Sequence, residues 1–291
     1  MLNNKKFYHI NKDKYPPFKN GLYLEEFFLS YYTRNNLQTK RKYIPALWTN
    51  FQIENWFKTS KNEMQQELDK WISENPSPNG YFTVVQYDDG VLLQLPKNTI
   101  VFGACSGDIP IPLIYEDKTN TLISVPKKTF KDKKILCSFV GNITSNSITP
   151  NVRKIMFKHL QSNNSFKLIN SGGWTPKVNE NLQKIFLDTT IDSKFALAPR
   201  GYGRSSFRFF ECFLLGTIPV YLWNDINWLP FQETIDYSRL CVVLHIDEIN
   251  KLEELLKSIT EDKYNNMWSY YNEIKHLFEL EGMTQKIISM V

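Results

Sequence analysis

Apolar residues along this chain alternate between two periodicities, and their order predicts an α/β protein. Leu22 to Tyr32 carries Tyr23, Phe27, Phe28 and Tyr31 on one helical face, and Glu63 to Ile72 repeats the pattern with Met64, Leu68, Trp71 and Ile72. Tyr81 to Tyr87 and Thr99 to Cys105 are rich in β-branched and aromatic residues and end at polar or glycine residues, as strands do. Ile135 to Val140 is a further core strand, closed by Gly141 and the polar stretch Asn142 to Thr149. Pro150 then stands near the start of a helix with an apolar stripe of Val152, Ile155, Met156 and Leu160. Ser171 to Trp174 reads as a loop. Phe195 to Ala198 and Thr217 to Leu222 are buried strands on either side of a helix that buries Phe207, Phe210, Leu214 and Leu215 and stops at Gly216. Cys241 to Ile246 is a strand, and Asp247 is positioned to cap a helix burying Leu252, Leu255, Leu256 and Ile259. The tail, Asp262 to Ile288, reads as one long helix or a kinked pair.

With 291 residues, 42% of them hydrophobic, the chain can bury two cores of ordinary size. The lysine-rich stretch Lys127 to Lys134 predicts a solvated hinge, giving an N-terminal domain over 1–130 and a C-terminal domain over 131–291. A net charge of +5 without a long basic arm argues against a nucleic-acid partner. The four cysteines, Cys105, Cys137, Cys212 and Cys241, lack metal or disulfide spacing and read as buried thiols. The apolar runs predict no signal peptide and no membrane span, and hence a cytoplasmic protein.

The densest chemistry lies between Phe195 and Leu222, which reads as strand, glycine loop, helix and strand. The loop holds Gly201 and Gly203, and Ser205 or Ser206 can cap the helix. Gly201-x-Gly203-x-x-Ser206 is a partial dinucleotide fingerprint, with serine for the third glycine and no acidic residue at the required distance. Arg200, Arg204 and Arg208 surround the helix start. Backbone donors, a helix dipole and guanidinium groups together suit a diphosphate. Glu211 shares a face with Arg208 and sits about 7–8 Å along the axis from Ser206, a spacing that fits the ribose of the same ligand. By spacing alone, Arg208 and Glu211 are also an ordinary surface ion pair.

Pro199-Arg200-Gly201, Ser206-Phe207-Arg208-Phe209-Phe210-Glu211, Gly216-Thr217-Ile218-Pro219-Val220 and Leu229-Pro230-Phe231 follow one another in a pattern that resembles the exostosin-like glycosyltransferase family. Phe139-Val140-Gly141 followed by Arg153 extends the likeness upstream. The resemblance implies a GT-B fold, with two Rossmann-like α/β domains facing a central cleft and a C-terminal helix able to cross back to the N-terminal domain. It implies a nucleotide-sugar donor, usually a UDP-sugar, a glycan acceptor and inversion at the anomeric carbon, with a homo- or hetero-dimer left open. On that reading Arg208 and Arg153 face the diphosphate, Arg200, Gly201, Gly203, Arg204, Ser205 and Ser206 line the donor site, and Glu211 takes the ribose. No Asp-x-Asp pair is present, so no metal and no cofactor beyond the co-substrate is expected. An inverting transfer needs a general base, and the strand-end acids of the N-terminal half are Asp88, Asp89 and Asp108. Asp88-Asp89-Gly90 also spells an ordinary turn, and Asp108 can simply cap its loop. His9 is an outside candidate. Family members often carry a histidine near the first of these strands, where this chain has Tyr81. A non-catalytic partner subunit or a carbohydrate-binding module are the alternative functions.

Overall fold

The computed structural model describes residues 1–15, 21–143, 151–173 and 179–291. The expected polar stretch from Thr144, Pro150 and Trp174 lie outside them. The chain forms two compact units, Met1–Lys118 with His276–Val291, and Thr119–Lys275.

The first unit contains α1 (Leu24–Arg34), β1 (Lys42–Tyr43), α2 (Trp48–Gln52), α3 (Asn55–Glu74), β2 (Tyr81–Val85), β3 (Thr99–Gly103) and β4 (Ile109–Pro110). Its strands form a parallel sheet in the order β1-β2-β3-β4. Every residue of β2 is buried, which a parallel strand covered on both faces requires and which explains its unbroken apolar run. One face packs on Phe7, Trp48, Phe51, Phe57, Met64 and Leu68. The Trp48 Nε1–H donates to Thr83 Oγ1 at 2.7 Å, and Thr83 Oγ1 donates to Ile44 O at 3.0 Å, so the buried polar atoms are satisfied.

The second unit contains β5 (Ile135–Gly141), α4 (Val152–Leu160), β6 (Phe166–Asn170), α5 (Glu180–Ile191), β7 (Ser193–Pro199), α6 (Phe207–Leu214), β8 (Ile218–Trp223), α7 (Tyr237–Leu240), β9 (Val242–His245), α8 (Leu252–Ser258) and α9 (Glu261–Ile274). Its five strands are all parallel, in the order β6-β5-β7-β8-β9. The chain leaves β5 for β6 on one side and returns to β7 on the other. The topological switch point therefore lies between the carboxyl ends of β5 and β7, where doubly wound sheets gather ligands.

Several local expectations are corrected. The Lys127–Lys134 stretch is not wholly solvated: Lys133 is buried and donates from Nζ to Ile191 O at 2.7 Å and to Thr217 Oγ1 at 3.2 Å, closing the end of α5. Asp247 does not cap α8. It sits in a 3-10 turn, Ile246–Lys251, whose cap is His245, with Nδ1 accepting from the Asp247 N–H at 3.3 Å. Of the two forms expected for the tail the structure shows the pair, α9 and α10 (Leu280–Ser289), separated by the 3-10 turn Lys275–Phe278. Among the described residues no helix is long and apolar enough to cross a membrane.

Candidate functional site

β7 ends at Pro199, the chain crosses the carboxyl edge, and α6 starts behind Ser206, whose Oγ accepts from the Arg208 N–H at 3.3 Å. Of the two serines, Ser206 is thus the cap. From the first turn of α6 the Arg208 side chain reaches β5, where Nη1 donates to Val140 O. Its Nε lies 3.5 Å from Glu211 Oε2, and its guanidinium carbon lies 4.2 Å from the Phe186 ring centroid and 5.7 Å from that of Phe139. The Nε atom itself is buried and has no hydrogen-bond acceptor among the described residues.

A second guanidinium comes to the same edge from the other side of the switch point. Arg153, in the first turn of α4, donates from Nε to Arg200 O at 3.2 Å and from Nη1 to Asn142 O at 2.9 Å. A Cβ on Gly201 would stand 3.0 Å from Arg153 Nη2, and one on Gly141 would stand 3.0 Å from the Phe139 ring. Both motif glycines therefore serve close approach. Neither helix carries an acidic residue in its first turn, so two cations and two helix N-termini bracket the carboxyl ends of β5 and β7, and Glu211 lies beside Arg208.

The other two predicted cations are differently engaged. Arg200, 8% exposed, donates to Asn224 Oδ1 at 3.0 Å, to Tyr202 O at 2.9 Å and to Asp225. Arg204 Nε donates to the other Asp225 oxygen at 3.1 Å, and its guanidinium carbon is 5.5 Å from the Trp228 ring centroid. Partial burial would raise the Asp225 carboxyl, but the hydrogen bonds and charge of Arg200, with the Ile226 backbone and Arg204, hold it down at about 2. One carboxylate thus ties both arginines to the loop after β8 and fixes the shape of 200–204. Gly203 is buried within this loop, and Ser205 is half-buried. The motif pattern pointed to neither Asn224 nor Asp225, which lie on a separate strand-end loop. Their place after an apolar strand was the available signal.

In the first unit the three acids fall on strand-end loops. Asp88, half-buried, and Asp89, exposed, occupy a turn closed by the Gly90 N–H donating to Tyr87 O at 3.0 Å. Asp108 Oδ2 accepts from the Val101 N–H at 2.8 Å, so this carboxylate secures its own loop. Tyr81 stands at the amino end of β2, away from the ligand-gathering edge, and donates from its hydroxyl to Asn75 O at 3.0 Å. His9 Nε2 lies 3.0 Å from Glu54, which also binds Lys14 at 2.7 Å and Asn11, a tie for the N-terminal segment.

Sequence reading missed Glu25. It is 1% exposed at the start of α1, and its carboxyl accepts from the Thr49 N–H at 3.1 Å, the Thr49 hydroxyl and the Gln86 N–H. Burial pushes this carboxyl up to about 7 against those hydrogen bonds. The helical pattern of α1 marks its aromatic face and says nothing of a carboxyl folded inward. Among the described residues no group of three or more His, Cys, Asp or Glu side chains could hold a metal ion.

Residues 101–259 match the Exostosin GT47 domain, more than half of the chain and including every predicted donor residue. The chain belongs to the Exostosin GT47 domain family. Among the family-related proteins it resembles are a probable glycosyltransferase of Arabidopsis thaliana, 32% identical over 102 residues, 35% of this chain and 21% of that protein. The Exostosin-1 homolog of Caenorhabditis elegans is 24% identical over 177 residues, 55% of this chain and 46% of that protein. Exostosin-1 of Drosophila melanogaster is 26% identical over 173 residues, 54% of this chain and 22% of that protein. This Exostosin GT47 chain therefore spans less than half the length of these relatives.

Proposed function

We propose that this protein is an inverting, metal-independent glycosyltransferase that moves a sugar from a nucleotide-sugar donor, a UDP-sugar, to a glycan hydroxyl. The observation that carries the proposal is the pairing of Arg153 and Arg208 across the switch point of the second unit. Arg208, with the N–H groups at the start of α6, binds the donor diphosphate, and Arg153 supports it from the start of α4. Glu211, beside Arg208, accepts from the ribose hydroxyls. The acceptor hydroxyl attacks the anomeric carbon from the face opposite the diphosphate. The anomeric C–O bond to the diphosphate breaks, and its electron pair leaves on the nucleoside diphosphate. The two guanidinium groups stabilise the growing negative charge, the role a divalent cation fills elsewhere. The acceptor proton passes to a carboxylate acting as general base. Asp88, Asp89 and Asp108 are the candidates.

A panel of UDP-sugars incubated with the protein and glycan acceptors in excess EDTA tests this, with product mass and anomeric configuration read together. Transfer with inverted configuration at an undiminished rate in EDTA is expected. Retention, or activity only with added divalent cation, contradicts it. Arg208→Ala is expected to lower kcat/KM by about 10²–10³-fold, the size seen when a donor to developing charge is removed.

A further inference from the structure

The Arg208 guanidinium rests against an aromatic ring that belongs to none of the sequence motifs. Phe186 lies in α5, which packs on β5 and β7, the two strands that flank the switch point. Its ring centroid is 4.2 Å from Arg208 Cζ, well inside cation–π range, whereas Phe139 stands at 5.7 Å. Nη1 is turned to Val140 O, and the buried Nε has no hydrogen-bond acceptor among the described residues. Arginine carries much rotamer freedom, and a site that holds it ready avoids that entropy cost when ligand arrives.

We propose that Phe186 is a positioning residue for donor binding, its ring holding the Arg208 guanidinium over the carboxyl end of β5 so that the remaining N–H groups meet the diphosphate. This rests on the reading of the site as a nucleotide-sugar site. Phe186 touches no reacting atom. It acts by holding Arg208 in place, and without the ring the ligand itself must order Arg208 at an entropy cost met once, on binding; its loss therefore weakens ground state and transition state alike, raising KM and leaving kcat almost unchanged. A ring with the same face, tyrosine, preserves the effect. An aliphatic side chain fills the space but offers no negative face to the cation.

The test compares the full-length protein with Phe186→Leu, Phe186→Tyr and Arg208→Ala. It reads the arginine Nε–H resonances, the affinity for UDP and the donor kinetics. An Arg208 Nε–H resonance shifted by the ring current is expected in the parent and in Phe186→Tyr, and its return to the ordinary position in Phe186→Leu. Phe186→Leu is expected to weaken UDP binding and raise donor KM by about 3- to 30-fold, the range of a cation–π contact. Its kcat stays within about twofold, and Phe186→Tyr restores affinity to within about twofold. Should Phe186→Leu not fold, Phe186→Met supplies the same comparison. If Arg208→Ala loses UDP while Phe186→Leu binds it as the parent does, the positioning role is overturned. If Arg208→Ala binds UDP as well as the parent, the donor-site reading itself fails, and the role of Phe186 with it.

Discussion

Glu25 places a carboxyl beyond the reach of water at the point where α1, the first turn of α2 and the end of β2 meet. Two backbone N–H groups and a hydroxyl satisfy it, yet burial dominates and its proton is held to about 7, above the ordinary 4.5. Between these values the folded chain keeps a proton that the unfolded chain has released. Stability supplied by this group is therefore full below about 4.5, falls as pH rises and is lost above about 7. Glu25→Gln turns an amide toward backbone donors, so it is expected to destabilise by about 1–3 kcal/mol at acid pH. Because glutamine does not titrate, the stability difference should move by about 3 kcal/mol in favour of the variant between pH 4.5 and 7.5, closing or reversing the deficit. Urea unfolding of both proteins at the two pH values checks this, and a deficit that does not vary with pH contradicts it. At this scale the sequence is readable where a residue type has a single job. A serine cap at 205 or 206 and Arg208 beside Glu211 follow from spacing along one helix, but the choice of Ser206 and the partnership of Arg200 and Arg204 with Asp225 need the fold, the latter with the β7 and β8 loops brought together.

The helix that carries Arg208 is set by both of its ends. Ser206 starts α6, and Gly216, at φ +74°, stops it: the Gly216 N–H donates to Phe213 O at 3.1 Å and the Thr217 N–H to Cys212 O at 2.9 Å, the paired bonds of a Schellman motif. Gly216→Ala places a side chain in the left-handed region and is expected to cost about 1–2 kcal/mol. The new Cβ would also stand 2.9 Å from Lys127 Cγ and 3.0 Å from its Cβ, atoms at the root of that side chain that cannot swing clear, so this crowding adds to the cost. Chemical denaturation gives the value, and an alanine variant as stable as the parent would rule out this account of the stop. Strands β5, β7 and β8 and helix α6 were legible because each is a continuous apolar run or an amphipathic stripe between clear breakers. By contrast, β6 was not. Phe166–Asn170 has one buried residue of five and sits at the sheet edge, so no apolar run marks it. Its absence from the sequence reading hid the switch point, since only a strand outside β5 makes the chain reverse there.

At the scale of the molecule, the second unit supplies its own argument for where ligand binds. Parallel order β6-β5-β7-β8-β9 directs two helix starts and two guanidinium groups to one edge, and Gly201 lets the Arg153 guanidinium lie close to the backbone. Membership of the Exostosin GT47 domain family agrees with the motif order that led to this edge. The candidate acids were less legible because aspartates at strand ends serve turns as readily as chemistry, as Asp108 does here. Titration calorimetry of the protein with UDP and with UMP, in EDTA, tests the central claim most directly. The account predicts that UDP binds more tightly than UMP by at least about tenfold, and that Arg208→Ala abolishes the difference, since one charge-assisted contact to the second phosphate contributes about that much. Equal affinity for the two nucleotides, or a preference for UDP that survives in Arg208→Ala, would contradict it.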